Sequence, residues 1–189
     1  MFSFQNKAIF RFVDAHLRRV DVNRNGFCAI SSVCWPTTTT SLWERLLEPF
    51  VRKNPAMLAT FRTGRIRKAP SVEQLRQDAI CGTTHFWFSP RFVRPFLASR
   101  GVCAVVLDRR PSVTHKVTLR GAPWHEAMYF RVVEYKANQN HFFAFNQPHT
   151  PKAVYQFTRT DTLVRKLDVL LHPKEPNFGR GSFYYNGMQ

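Results

Sequence analysis

Asn25-Gly26-Phe27-Cys28-Ala29-Ile30 runs a tight polar turn straight into a thiol, and Asn140-His141-Phe142-Phe143 answers it far downstream. The cysteine opens a short apolar segment, Cys28 to Trp35, that Pro36 stops. This order puts a thiol at a helix N-terminus. There the helix dipole favours the thiolate, and free backbone N–H groups can stabilise an oxyanion. His141 opens an aromatic segment after the polar turn Ala137-Asn138-Gln139-Asn140, where an imidazole can serve as the base.

Upstream of the turn, Ile9, Phe12, Val13, His16, Leu17 and Val20 recur at helical spacing and predict an amphipathic helix over 6–20, with His16 on its apolar face. Downstream, Ser41 with Glu44 reads as a capping box for a helix interrupted at Pro49. Arg52, Lys53, Arg62, Arg65, Arg67 and Lys68 mark 52–70 as an exposed basic loop. Ser71 with Gln74 starts a helix that ends near Gly82, and Ser89-Pro90 starts another that Gly101 stops and Pro95 bends. The run Val102 to Leu107 fits a buried strand, and Val113, His115, Val117 and Leu119 alternate like a strand with one wet face. Residues 127–135 and 141–145 read as two more strands, 152–158 as an edge strand and 161–171 as a closing helix. The expected domain is 1–171, followed by a basic, aromatic tail over 172–189. The fold class is α+β: a helical side carrying the cysteine packs on a mostly antiparallel sheet carrying the histidine.

The totals set bounds. A chain of 189 residues with 44% hydrophobic content and 18 Phe can build one sizeable core. No apolar run reaches membrane-spanning length. Met1-Phe2-Ser3-Phe4 has no signal-peptide core, so reduced thiols and a cytoplasmic location are expected, with the nucleus as the alternative. The cysteines at 28, 34, 81 and 103 form no CxxC pair, which argues against zinc, and no other cofactor is called for. Twenty-eight Lys and Arg against 12 Asp and Glu leave a net charge of +16, a field that attracts polyanions.

Cys34 falls inside a helix, Cys103 inside a buried strand and Cys81 at a helix end without a matching loop, so Cys28 is the candidate nucleophile. Asn25-Gly26-Phe27-Cys28, then the aromatic-to-aliphatic course from Phe86 to Leu107, then His141-Phe142, resembles the ovarian-tumour (OTU) family of papain-like cysteine proteases, in particular its viral members. The resemblance covers roughly residues 20–146. It implies Cys28 as nucleophile, His141 as general base and Asn25 as an oxyanion donor where the family usually has aspartate. The family often has Asp or Asn two positions after the histidine, and Phe143 stands there. Asn146 or Asn23 is then the candidate orienter of His141, or the site works as a dyad.

The resemblance implies a deubiquitinase or polyprotein-cleaving (iso)peptidase acting on ubiquitin, a ubiquitin-like protein or a viral polyprotein. A basic ubiquitin tail needs an acidic groove, for which Glu126, Glu134, Asp78 and Asp108 are the candidates. The alternative is a catalytically degenerate OTU-like domain that binds RNA or DNA in a virion or replication complex, with Arg62, Arg65, Arg67 and Lys68 on phosphates.

Overall fold

The apolar run from Val102 lies inside a five-stranded sheet. The computed structural model describes residues 2–22, 26–34, 38–61, 68–109, 115–146, Leu167 and Leu170. The strands are β1 (Arg18–Val20), β2 (Val102–Arg109), β3 (Lys116–Gly121), β4 (Tyr129–Lys136) and β5 (His141–Asn146), in the spatial order β1-β5-β4-β2-β3. Only β2 and β4 run parallel; the other three pairs are antiparallel. The chain is therefore α+β with a mostly antiparallel sheet, as its residue pattern predicts.

Side-chain alternation along β2 explains the continuous apolar run. Cys103, Val105 and Leu107 face one core layer with Ile9, Phe10 and Val13 of α1 (Phe2–His16). Val102, Ala104 and Val106 face the other, under the helices between residues 28 and 99. A strand covered on both faces has no wet side to mark with polar residues.

The covering helices are α2 (Cys28–Cys34), α3 (Thr39–Leu42), α4 (Glu48–Lys53), α5 (Val72–Cys81) and α6 (Pro90–Ser99). Ser71 caps α5 by accepting from the Gln74 N–H at 3.0 Å, and Gly82 ends it in the left-handed conformation, as the pattern predicts. Ser89 precedes α6 as expected, but its hydroxyl donates to the Thr60 carbonyl at 2.7 Å instead of capping its own helix. Phenylalanines fill this layer. Phe88 meets Phe27, Phe61 and Phe92 at centroid distances of 5.5, 4.9 and 5.2 Å. Each such ring contributes about 1.5–3 kcal/mol by burial.

Several expectations need correction. The first helix ends at His16, and Arg18–Val20 turns into the edge strand β1. The pairing of β1 with β5 outweighs the helical apolar spacing of Leu17 and Val20. His16 is exposed; its Nδ1 lies 2.8 Å from the Phe12 carbonyl and its ring stacks on Phe12. The second helical region starts one turn earlier than Ser41, capped by the Thr38 hydroxyl. It continues through Pro49, because a π-helical turn at Trp43–Leu47 absorbs the missing N–H and the ring's bulk. Residues 52–60 are not an open loop: Pro55–Thr60 forms a 3₁₀ turn whose Met57 and Leu58 pack on the core. The edge strand at 152–158 and the tail at 172–189 lie outside the described residues, as does 161–171 apart from two helical positions. Those two are Leu167, buried against the α1 layer, and Leu170 beside it.

Candidate functional site

Gly26 and Phe27 set the position of Cys28. Gly26 adopts φ +78°, and a Cβ there would stand 2.2 Å from the Thr84 carbonyl oxygen. Thr84 is itself held: its hydroxyl donates to Asp78 at 2.8 Å and accepts from the Phe86 N–H at 3.1 Å. Phe27, fully buried, packs on Phe88. Cys28 therefore begins α2 at a place fixed from both sides, on the floor of a cleft of about 440 Å³ lined also by Trp87, Arg120, Tyr135 and Phe142.

His141 is placed by the β4–β5 hairpin, where it lies opposite Lys136. The connecting turn closes with Asn140 at φ 47°, a left-handed conformation that asparagine tolerates. Cys28 and Phe142 line the same cleft, and the Phe142 backbone N–H favours the ionised form of the thiol, so the thiol and the histidine strand meet at the start of β5.

The residue that holds the imidazole is Asp21. Its Oδ1 lies 2.9 Å from His141 Nε2. A carboxylate can only accept, so Nε2 carries the hydrogen, and in the neutral imidazole Nδ1 is then the nitrogen with the lone pair that a base needs. Strand register accounts for the contact: β1 pairs Val20 with Ala144, and continuing that pairing sets Asp21 diagonal to His141 on one face. Phe143 shares that face and presents an aromatic contact to the imidazole at 4.8 Å and 86°. The position where the OTU pattern has a polar orienter thus supplies packing instead.

Of the other expected site residues, Asn146 lies at the opposite end of β5, paired with Arg18 and about 17 Å along the strand from His141. Asn23 and Asn25 lie outside the described residues, as do Arg62, Arg65 and Arg67; Lys68 is exposed. The signal that could have found Asp21 was the single acid just after Arg18-Arg19-Val20, once that segment was recognised as a strand.

The thiol is not electrostatically activated at rest, contrary to what a helix N-terminus suggests. Burial pushes Cys28 above the ordinary value of 9.0, and the Asp21 charge adds to that. The N–H groups of Phe142, Ala29 and Cys28 act in the opposite sense but do not win. A helix of seven residues contributes little dipole against desolvation.

None of the four carboxylates expected to build an acidic groove lines the cleft. Glu134 is 1% exposed and binds Arg19 at 2.6 Å and also Arg109, on the α1 side of the sheet. Asp108 is buried, Asp78 holds Thr84 and Gln74, and Glu126 faces solvent beside His125. No helix among the described residues is long and apolar enough to cross a membrane. No family model matches the chain, and a search of curated proteins gives no match either.

Proposed function

We propose that the chain is a papain-like, OTU-like cysteine hydrolase that cleaves a peptide or isopeptide bond after a ubiquitin-like tail or within a polyprotein. The observation that carries this reading is the 2.9 Å contact of Asp21 with His141 Nε2, next along β5 to Phe142, which lines the Cys28 cleft. Because the resting thiol is neutral, His141 acts as a general base in the attack itself. Its Nδ1 takes the Cys28 proton as sulfur bonds to the carbonyl carbon. The resulting imidazolium, stabilised by Asp21, returns that proton to the leaving amine. Water then hydrolyses the thioester, with His141 again as base.

Burial of Cys28 is the observation that favours a second reading, a degenerate domain whose +16 charge serves nucleic-acid binding. Electrophilic probes decide between the two. At least one of two probes, ubiquitin carrying a C-terminal vinyl ester or an acyl-oxymethyl-ketone peptide, is expected to label wild type, to leave Cys28→Ala unlabelled and to label His141→Ala far more slowly. No labelling at Cys28 by any probe, together with salt-sensitive RNA binding, would favour the second reading.

A further inference from the structure

Among the described residues, Arg120 is the one ionised side chain in the lining of the cleft that contains Cys28. It projects from β3, and its guanidinium lies 5.7 Å from the centroid of the Phe142 ring. Its Nε is buried and has no hydrogen-bond partner among the described residues. Among the described residues no carboxylate comes within ion-pair reach of it. Burial disfavours its charge most, Arg94 opposes it as well, and Tyr135 and Asp108 help it only through space. A half-buried cation with an idle donor, beside another cation, is costly unless an anion arrives. The rest of the described lining is uncharged and mostly aromatic or small, with Trp87, half-exposed, and Tyr135 among the walls. The cleft volume of about 440 Å³ falls in the ~300–1,000 Å³ range of ligand sites.

We propose that this cleft selects a peptide with an acidic side chain within a residue or two of the scissile bond, its carboxylate received by Arg120 between the aromatic walls. The inference rests on the hydrolase reading of Cys28 and narrows its substrate: a cleft whose described lining holds a cation and no carboxylate suits an acidic polyprotein segment better than a basic ubiquitin tail. An oligonucleotide phosphate also suits Arg120, but the thiol in the same cleft calls for an acyl group, so a peptide is the occupant argued here.

The test is a panel of internally quenched peptides with Asp, Asn or Lys placed in turn at each position flanking a common cleavable bond. Wild type is expected to cleave the best Asp peptide at least about tenfold faster, in kcat/KM, than its Asn counterpart, with the Lys peptide slower still. Arg120→Gln should abolish that preference, bringing kcat/KM for the Asp peptide down to that for its Asn counterpart in the same protein, and Arg120→Lys should keep part of it. Cleavage without acidic preference, or a preference unchanged in folded Arg120→Gln, overturns this inference and leaves the hydrolase reading standing. If no peptide is cleaved, calorimetric titration of Cys28→Ser with the same peptides decides. Tighter binding of the Asp peptide, lost in the Cys28→Ser/Arg120→Gln protein, supports the inference although the hydrolase reading fails. Equal binding of all three, or displacement of the peptide by a six-nucleotide oligouridine, overturns it. The wild-type panel needs no variant to fold.

Discussion

Replacing Gly26 by alanine tests how rigidly the turn places Cys28, and Gly82→Ala supplies the control. Both glycines are left-handed, at φ +78° and +84°. They differ in what a new methyl group meets. At Gly82 the nearest atom is the Thr39 hydroxyl at 3.8 Å, an ordinary contact. At Gly26 the Thr84 carbonyl oxygen stands at 2.2 Å and its Cγ2 at 2.5 Å. Left-handed alanine costs about 1–2 kcal/mol, partly offset by about 0.4–1 kcal/mol from a stiffer unfolded chain. Gly82→Ala should therefore lose about 1 kcal/mol. Gly26→Ala adds an overlap with a peptide group that must retreat by most of an ångström, and overpacking of this kind costs about 1–3 kcal/mol more. The expected loss is about 3 kcal/mol, read as a lower urea midpoint by circular dichroism. Truncating Thr84 to alanine in the same protein should restore little, because the tighter contact is with its backbone oxygen. Equal losses at Gly26 and Gly82, within about 0.5 kcal/mol, would refute the close approach and with it the fixed position of the thiol.

Further outcomes are expected at the site and in the sheet. Asp21→Asn removes the charge that raises Cys28 but keeps an acceptor for His141, so iodoacetamide at pH 8 should alkylate Cys28 faster while probe labelling slows about tenfold or more; both rates moving together contradict the assignment. Wild-type alkylation of Cys28 should keep rising through pH 9 with no plateau near neutrality, because burial disfavours the thiolate; a plateau below pH 7 would mean a resting ion pair. Glu134→Gln strips the shared partner from Arg19 and Arg109 and should lower stability by about 2–4 kcal/mol, less than a fully buried pair would because both arginines reach solvent. The same urea titration measures that loss, and one below about 0.5 kcal/mol would rule out the network as a tie between β1, β2 and β4. Folding keeps the buried Cys28 and Cys103 thiols neutral, so stability should be full below the unfolded thiol's pKa and fall as pH rises past about 9, by up to about 1.4 kcal/mol per pH unit per thiol. Cys103→Ala should flatten that slope, and an unchanged slope would show that other groups cause it.

Local chemistry in the chain determined much of this architecture. Ser71 and Gly82 bound α5, Ser89-Pro90 begins α6, the apolar run 102–107 makes a strand covered on both faces, and the turn at 137–140 closes the β4–β5 hairpin. Each signal acts between residues a few positions apart, which is why it can be read without coordinates. For the same reason Cys28 and His141 stand out, one after an Asn-Gly turn and one opening a strand. What partners them depended on contacts across more than 90 positions. Arg18–Val20 is too short to show a period, and only its pairing with β5 makes it a strand and carries Asp21 to His141, 120 residues away. Glu134 lies in an alternating segment like any exposed acid until Arg19 and Arg109 converge on it. Arg120 is one arginine among many until the sheet turns it into the cleft beside the thiol. Burial, too, belongs to the tertiary structure alone: the helix start that should ease ionisation of Cys28 is enclosed by Phe27, Ala29 and Phe142, and desolvation outweighs the short dipole.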